Sequence, residues 1–291
     1  MPETTKRGSQ DSTLILPDGR TLGYAQFGAS DGRPLLYFHG GISSRLDIAF
    51  ANDYCQKNNF KIIAPDRPGI GISSPKSKRS LLDWAEDVEN LLDHLNIKSL
   101  PLLGWSLGGP FVWACAYKLP HRFSKISTIG GASPVLPPVT IEQLGLLADR
   151  MLFSCPPAFE PLLAASIDAS CKLPPQTIKW MLESELVDDD KAIVQELSLS
   201  DATDFIIEAT RQGGMGVIDD YKAVAQDWGF ELSEIKGDVT LWCGEQDLLL
   251  PRTMTEYLKD RIPNAQVNLL LDRGHFMLRR ELDQVLPHLF S

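Results

Sequence analysis

The stretch Leu100-Pro101-Leu102-Leu103-Gly104-Trp105-Ser106-Leu107-Gly108-Gly109-Pro110 constrains what this chain can fold into more than any other. Residues 99–103 form a short apolar run that reads as a buried strand. Residues 107–118, rich in Ala, Val and Phe, read as a buried helix. Between them lies Gly-x-Ser-x-Gly, the pattern of a serine carried on a sharp strand-to-helix turn. Such a turn holds the serine in a strained backbone conformation, and a Cβ on either flank would strike neighbouring strands, so glycines stand on both sides. The hydroxyl is thereby lifted above the sheet, at the positive end of the following helix. A loop serine is otherwise a cap or turn residue; the strand–turn–helix context separates Ser106 from that ordinary role.

The rest of the chain repeats this alternation. Thr13–Leu16 and residues 21–27 flank the turn signal Pro17-Asp18-Gly19-Arg20 and predict a hairpin. Pro34-Leu35-Leu36-Tyr37-Phe38 is a continuous apolar run, as expected of a strand buried on both faces, and it ends in His39-Gly40-Gly41. A helix over 45–58 and a strand over 60–65 follow, then a loop of punctuators from Asp66 to Ser74. Ser80 and Asp83 form a capping box ahead of an amphipathic helix with Leu81, Ala85, Val88, Leu92 and Leu95 on its apolar stripe. Residues 125–129 give another strand. This order predicts parallel pairing with right-handed crossovers.

From about 132 to 234 strand signals vanish, and helices are expected over 140–153, 174–186, 190–199, 202–212 and 217–227. The insertion is too long for a loop and predicts a helical subdomain, with Gly213-Gly214-Met215-Gly216 as a helix break or hinge. Alternation resumes with strands at 239–243 and 265–271 around a helix at 252–261, and a helix from His275 to Phe290 closes the chain. The domain reading is a flexible tail over 1–12, a core of 13–131 and 235–291, and a helical cap over 132–234.

Composition narrows the function classes. With 291 residues, 43% hydrophobic and 23% charged, the chain is long enough for one large core. A net charge of -10 argues against a nucleic-acid surface. The densest basic cluster, Lys76-Ser77-Lys78-Arg79, reads as a solvated loop. Five scattered cysteines without Cys-x-x-Cys spacing point away from disulfides and zinc, and towards a reducing compartment. The polar first dozen residues carry no secretory signal, and no apolar stretch is long enough to span a membrane. The expectation is a cytoplasmic protein acting on a small molecule, with no cofactor or metal and with its oligomeric state open.

A serine hydroxyl needs a base to become a nucleophile, and the base needs an orienting acid. Of five histidines, His94, His121 and His288 have ordinary surface readings, and His39 reads as bracing its loop. His275 follows Gly274 beyond a strand and opens the last helix, on the same sheet edge as Ser106, because both follow carboxyl ends of parallel strands. Asp247, reached from strand 239–243 through Gly244-Glu245-Gln246, is the candidate acid, with Glu245 and Asp272 as rivals. An oxyanion would take its two N–H donors from Leu107 and from Gly41, with Ile42 as the alternative to Gly41. Asp66 and Arg67 read as pinning their own loop. Asp188-Asp189-Asp190 reads as a helix start facing water.

These motifs, in the order His39-Gly40-Gly41, Asp66-Arg67-Pro68-Gly69-Ile70-Gly71, Gly104-x-Ser106-x-Gly108, Gly244-Glu245-Gln246-Asp247 and Gly274-His275, resemble the α/β-hydrolase superfamily over nearly the whole chain after the tail. The likeness is strongest to small esterases, lactonases and proline-iminopeptidase-like members. It departs from the iminopeptidases, whose first motif continues His-Gly-Gly-Pro-Gly where Ile42-Ser43 stands here. The resemblance implies a mostly parallel eight-stranded α/β sheet with helices on both faces and a cap between strands 6 and 7. It also implies a cofactor-free serine hydrolase of a small, largely apolar ester, lactone or thioester, acting through an acyl-enzyme. The same fold and residues also serve non-hydrolytic receptors, lyases, acyltransferases and carbon–carbon hydrolases, which stay open as alternatives.

Overall fold

The computed structural model describes residues 10–291. Eight strands make one sheet: β1 (Gln10–Ile15), β2 (Thr21–Gly28), β3 (Arg33–Phe38), β4 (Phe60–Pro65), β5 (Leu100–Trp105), β6 (Phe123–Ile129), β7 (Val239–Gly244) and β8 (Gln266–Leu270). Their spatial order is β1-β2-β4-β3-β5-β6-β7-β8. From β4 onward every neighbouring pair is parallel; β1 with β2 and β2 with β4 are antiparallel. The β3–β5 register, Leu36 to Leu102 and Phe38 to Gly104, brings the ends of the two motif-bearing strands side by side.

Helices α1 (Asn52–Lys57), α2 (Leu81–His94) and α3 (Gly108–Lys118) alternate with the first strands. Between β6 and β7 lie α4 (Leu147–Ser154), α5 (Glu160–Cys171), α6 (Pro175–Glu185), α7 (Asp188–Glu196), α8 (Leu199–Ala209) and α9 (Met215–Ala225). The chain ends with α10 (Arg252–Arg261) and α11 (Leu282–His288).

The apolar runs bury both faces because successive side chains point to opposite sides. Leu36, Phe38, Ile63 and Leu102 join α2 and α3 in one cluster, whereas Leu35, Tyr37, Ile62 and Leu103 join α1 and α11 in another. Trp84 of α2 sits fully buried, edge-on to Phe38 at 5.4 Å and to Phe111 of α3 at 6.4 Å. Each such ring contributes about 2–3 kcal/mol through burial. Ser80 caps α2 through the reciprocal box with Asp83.

The structure corrects the expected elements in several places. The helix expected over 140–153 is a 3-10 turn, Ile141–Gln143, and α4 begins only at Leu147. Of the expected tail, residues 1–9 lie outside the described residues, and residues 10–12 belong to β1, paired with Tyr24 to Gln26. The helix expected over 45–58 opens as a 3-10 helix, Arg45–Ala51, before α1. Helix α5 was not expected, and its apolar residues spread around the helix instead of forming a stripe. The last helix does not start at His275. A turn there leads into a 3-10 helix, Met277–Arg279, and α11 begins only at Leu282. The backbone N–H groups of Gly274, His275 and Phe276 are taken by carboxylates from α7, which holds this segment as a turn.

Candidate active site

Ser106 occupies the turn between β5 and α3 with a φ of +54°, a left-handed conformation disfavoured for a residue with a side chain. Its backbone is tied on both sides: its N–H donates to Ile129 O at 3.1 Å, and its carbonyl accepts from Gly109 and Ala132 at 3.0 Å each. Both glycines have a steric reason, with the strand β3 for Gly108 as expected but with the helix α3 for Gly104. A Cβ on Gly104 would lie 2.5 Å from Val112 Cγ2, and one on Gly108 would lie 2.4 Å from Phe38 O.

His275 and Asp247 meet beyond the ends of β8 and β7. The imidazole Nδ1 bonds Asp247 Oδ2 at 2.8 Å, and both side chains are buried. Asp247 Oδ1 accepts the backbone N–H groups of Leu249 and Leu250 at 3.0 Å each, so the carboxylate is held by its own loop. The rivals stand apart: Glu245 and Asp272 are exposed, and Glu245 accepts the Asp272 backbone N–H at 3.3 Å. Gly130, at the end of β6 with a φ of +53°, makes room for the pair, because a Cβ there would lie 2.9 Å from His275 Nδ1. Burial pushes the ring towards neutrality. Asp247 opposes this by charge and hydrogen bond, Asp190 and Asp149 add to it, and the ring titrates above its usual range.

Ser106 and His275 line one cavity of about 350 Å³, with Trp105, Gly41 and Asp149. The remaining walls are largely apolar and come mostly from the segment between β6 and β7, among them Leu146, Met151, Ile167, Ile178 and Leu182. The hydrogen-bonded chain stops at His275, with no hydrogen bond from its ring to Ser106 among the described residues. Trp105 fixes the other side of the histidine turn by donating from Nε1 to His275 O at 3.1 Å.

Gly41 borders the same space and Leu107 directly follows Ser106 in the turn; the backbone N–H of each has no acceptor among the described residues. Ile42, next to Gly41, has a φ of +44°, strained for a β-branched residue. His39 does brace the loop, as expected: its Nε2 accepts from Arg67 N at 3.3 Å while Nδ1 faces Gly40 O at 3.0 Å. Burial, with Arg67 beside it, holds this ring well below the usual histidine range, so it is neutral.

Three residues have contacts that the sequence reading missed. Arg67 does not merely pin its own loop. Its guanidinium donates to His39 O at 2.6 Å, to Gly40 O at 2.7 Å and to Asp220 of α9 at 2.8 Å. Arg79 is not a solvated loop residue; it is buried and bonds the same Asp220 and the Pro68 carbonyl. Asp190 does not face water. It is buried and accepts the N–H groups of His275 at 2.9 Å and Phe276 at 2.7 Å, while Asp189 accepts that of Gly274 at 3.2 Å. Arg67 could have been suspected from its place at the end of β4. The partner of Asp190 lies 85 residues away, and no local pattern announces it.

The family model of the alpha/beta hydrolase fold matches residues 33–279. An uncharacterized hydrolase of Bacillus subtilis is 34% identical over 110 residues, 38% of each chain. The dihydrolipoyllysine-residue acetyltransferase component of an acetoin cleaving system from Pseudomonas putida is 26% identical over 271 residues, covering 92% of this chain. The matches thus span 38% and 65% of the lengths of these two relatives. Among solved structures, an esterase from Exiguobacterium antarcticum superposes with a TM-score of 0.72 at 17% identity, covering 97% of this chain and 100% of that one. The order of the strands, the strained serine turn after β5 and the family match together establish that the chain belongs to the alpha/beta hydrolase family.

Proposed function

We propose that this chain is a serine hydrolase that cleaves a small, largely apolar ester, lactone or thioester through an acyl-enzyme. The observation that carries the reading is the convergence of the strained Ser106 turn and the buried His275–Asp247 pair on one cavity. Ser106 Oγ attacks the carbonyl carbon and its proton passes to His275 Nε2. Asp247 holds the other ring nitrogen as N–H and stabilises the imidazolium. The oxygen that gains the negative charge takes hydrogen bonds from the Leu107 and Gly41 amides, which have no competing acceptor. Collapse returns the proton to the leaving alcohol or thiol. Water, deprotonated by His275, then releases the acid from the serine.

In this reading residues 132–234 act as a cap whose helices shape the substrate pocket and exclude water. No helix among the described residues is long and apolar enough to cross a membrane. The scattered and mostly buried thiols support a cytoplasmic setting.

The test is turnover of short-chain p-nitrophenyl esters together with labelling by a fluorophosphonate. Ser106→Ala should lose labelling, and its kcat should fall by about 10⁴–10⁶. Near-normal turnover by that variant would remove the mechanism.

A further inference from the structure

Inside the largely apolar cavity stands one polar pair that the mechanism does not use. Tyr221 of α9 donates its hydroxyl proton to Asp149 Oδ1 of α4, and both residues line the cavity. Tyr221 is buried, whereas Asp149 keeps partial exposure and faces the cavity. Asp149 Oδ2 accepts no hydrogen bond from the described residues, and Asp149 lines the cavity.

The position of the pair is as telling as its chemistry. A Cβ on Gly41 would lie 2.3 Å from the Tyr221 hydroxyl, so the phenol packs directly against the loop offered above for the oxyanion. The charge of the His275 ring also reaches Asp149. The pair therefore sits within reach of the reacting carbonyl and not at the far end of the pocket. Glu185 adds a second carboxylate to the lining, and no lysine or arginine among the described residues lines the cavity.

We propose that the Asp149–Tyr221 pair is the specificity element of this site, taking a hydrogen-bond donor, hydroxyl or ammonium, that the substrate carries close to its acyl carbonyl. The inference rests on the hydrolase reading and narrows its substrate class to hydroxyacyl or aminoacyl esters. Tyr221 spends its one donor on Asp149 Oδ1, which leaves Oδ2 to accept from a substrate. An acceptor that a bound substrate shuts off from water without supplying a donor penalises that substrate, which makes such a pair discriminating. Burial also pushes the Asp149 carboxyl above its usual range, against the bond from Tyr221, as expected of a group lacking its second partner. The second carboxylate and the absence of a cation disfavour an anionic acyl chain.

The test compares kcat/KM for ethyl butyrate, ethyl 3-hydroxybutyrate, ethyl 3-aminobutyrate and monoethyl succinate by pH-stat, for the unmodified chain, Asp149→Ala and Tyr221→Phe. The unmodified chain should favour the hydroxy or the amino ester over butyrate by about tenfold or more, with succinate poorest. Whichever of the two leads identifies a neutral or a cationic donor. Both variants should lose more on that ester than on butyrate, so the ratio falls towards one. A ratio at or below one in the unmodified chain overturns the inference, as does an Asp149→Ala variant slowed equally on all four esters. Butyrate turnover with a ratio of one removes this inference alone. If no ester is turned over and Ser106 takes no phosphonate label, the hydrolase reading falls and takes the inference with it.

Discussion

Asp190 Oδ2 accepts the backbone N–H of His275 at 2.9 Å, although the two residues lie on opposite sides of the β7–β8 region in sequence. With its other oxygen on Phe276 N, this one carboxylate fixes both peptide groups that flank the His275 ring. A Cβ on Gly274 would lie 2.4 Å from the Asp190 carboxyl carbon, so the histidine turn and the start of α7 are in close contact. The helices between β6 and β7 thus supply walls to the cavity and also hold the proposed base in place.

Asp190→Asn tests that role. Asp190 is one of the charges that raise the titration of His275, and the base works only when neutral. Removing the charge lowers the ring's pKa, so the acid limb of the kcat/KM profile should move to lower pH. An amide also turns an N–H towards a backbone donor, so the plateau should drop by about tenfold. A variant that only melts earlier, with the limb unmoved, would show Asp190 to be a structural cap and no more.

Arg67 is expected to act on the loop proposed to bind the oxyanion. The Gly40 carbonyl and the Gly41 N–H share one peptide plane and point in opposite directions, so the bond from Arg67 to Gly40 O fixes where Gly41 N–H points. A lysine offers no fork to hold His39 O and Gly40 O together. Arg67→Lys should reduce kcat by about 10–100-fold, below the cost of deleting a donor outright, with a smaller change in KM. Unchanged kcat on p-nitrophenyl butyrate would count against it.

Asp47 predicts a pH dependence of stability. It accepts Gly40 N–H at 3.1 Å and Ser43 Oγ at 2.8 Å, yet burial pushes its carboxyl up to about 6. The folded state therefore holds this proton more tightly than the unfolded chain. Its stabilising contribution is complete below about pH 4 and is lost as pH rises through about 6. Urea unfolding of the unmodified chain and Asp47→Asn should show their stability difference shifting by on the order of 2 kcal/mol in favour of the variant between pH 4 and pH 7. A difference constant across that range would show the Asp47 carboxyl unperturbed.

The core of this fold was legible because its signals are local. β3, β4 and β7 are largely apolar runs, and the serine turn carries its steric needs in Gly104 and Gly108, whose absent Cβ atoms leave room for Val112 and Phe38. His275 and Asp247 could be singled out because both follow strand ends on one edge of a parallel sheet. Helix α5 escaped because Pro161, small residues and spread apolar positions give no 3.6-residue stripe. Asp190, Asp149, Tyr221 and Asp220 escaped for another reason. Each looks like an ordinary helix residue, and what distinguishes it is a partner 72 to 153 residues away. Such pairings follow from how the helices after β6 settle on the sheet, which local periodicity does not encode.

The docking of those helices can be probed at Gly216, near the start of α9. Helix propensity alone says that Gly216→Ala should stabilise the chain by about 0.5–1 kcal/mol. The structure predicts the opposite sign. A Cβ at Gly216 would lie 2.1 Å from Gly69 O, a backbone atom that cannot swing away, and Gly69 itself is held at a φ of +81°. The two glycines let α9 lie directly on the Asp66–Gly71 loop, which brings Asp220 to Arg67 and Arg79. Forcing them apart strains the packing by about 1–3 kcal/mol and loosens the buried ion pairs behind the proposed oxyanion loop. Gly216→Ala should therefore unfold at lower urea and lose kcat in the same direction as Arg67→Lys. The neighbouring Gly213, with open space around it and a φ of +95°, serves as the control: its Ala variant should lose only about 1 kcal/mol of stability, from left-handed strain, with kcat unchanged. If Gly216→Ala were the more stable of the two, α9 would not be packed against the loop as described.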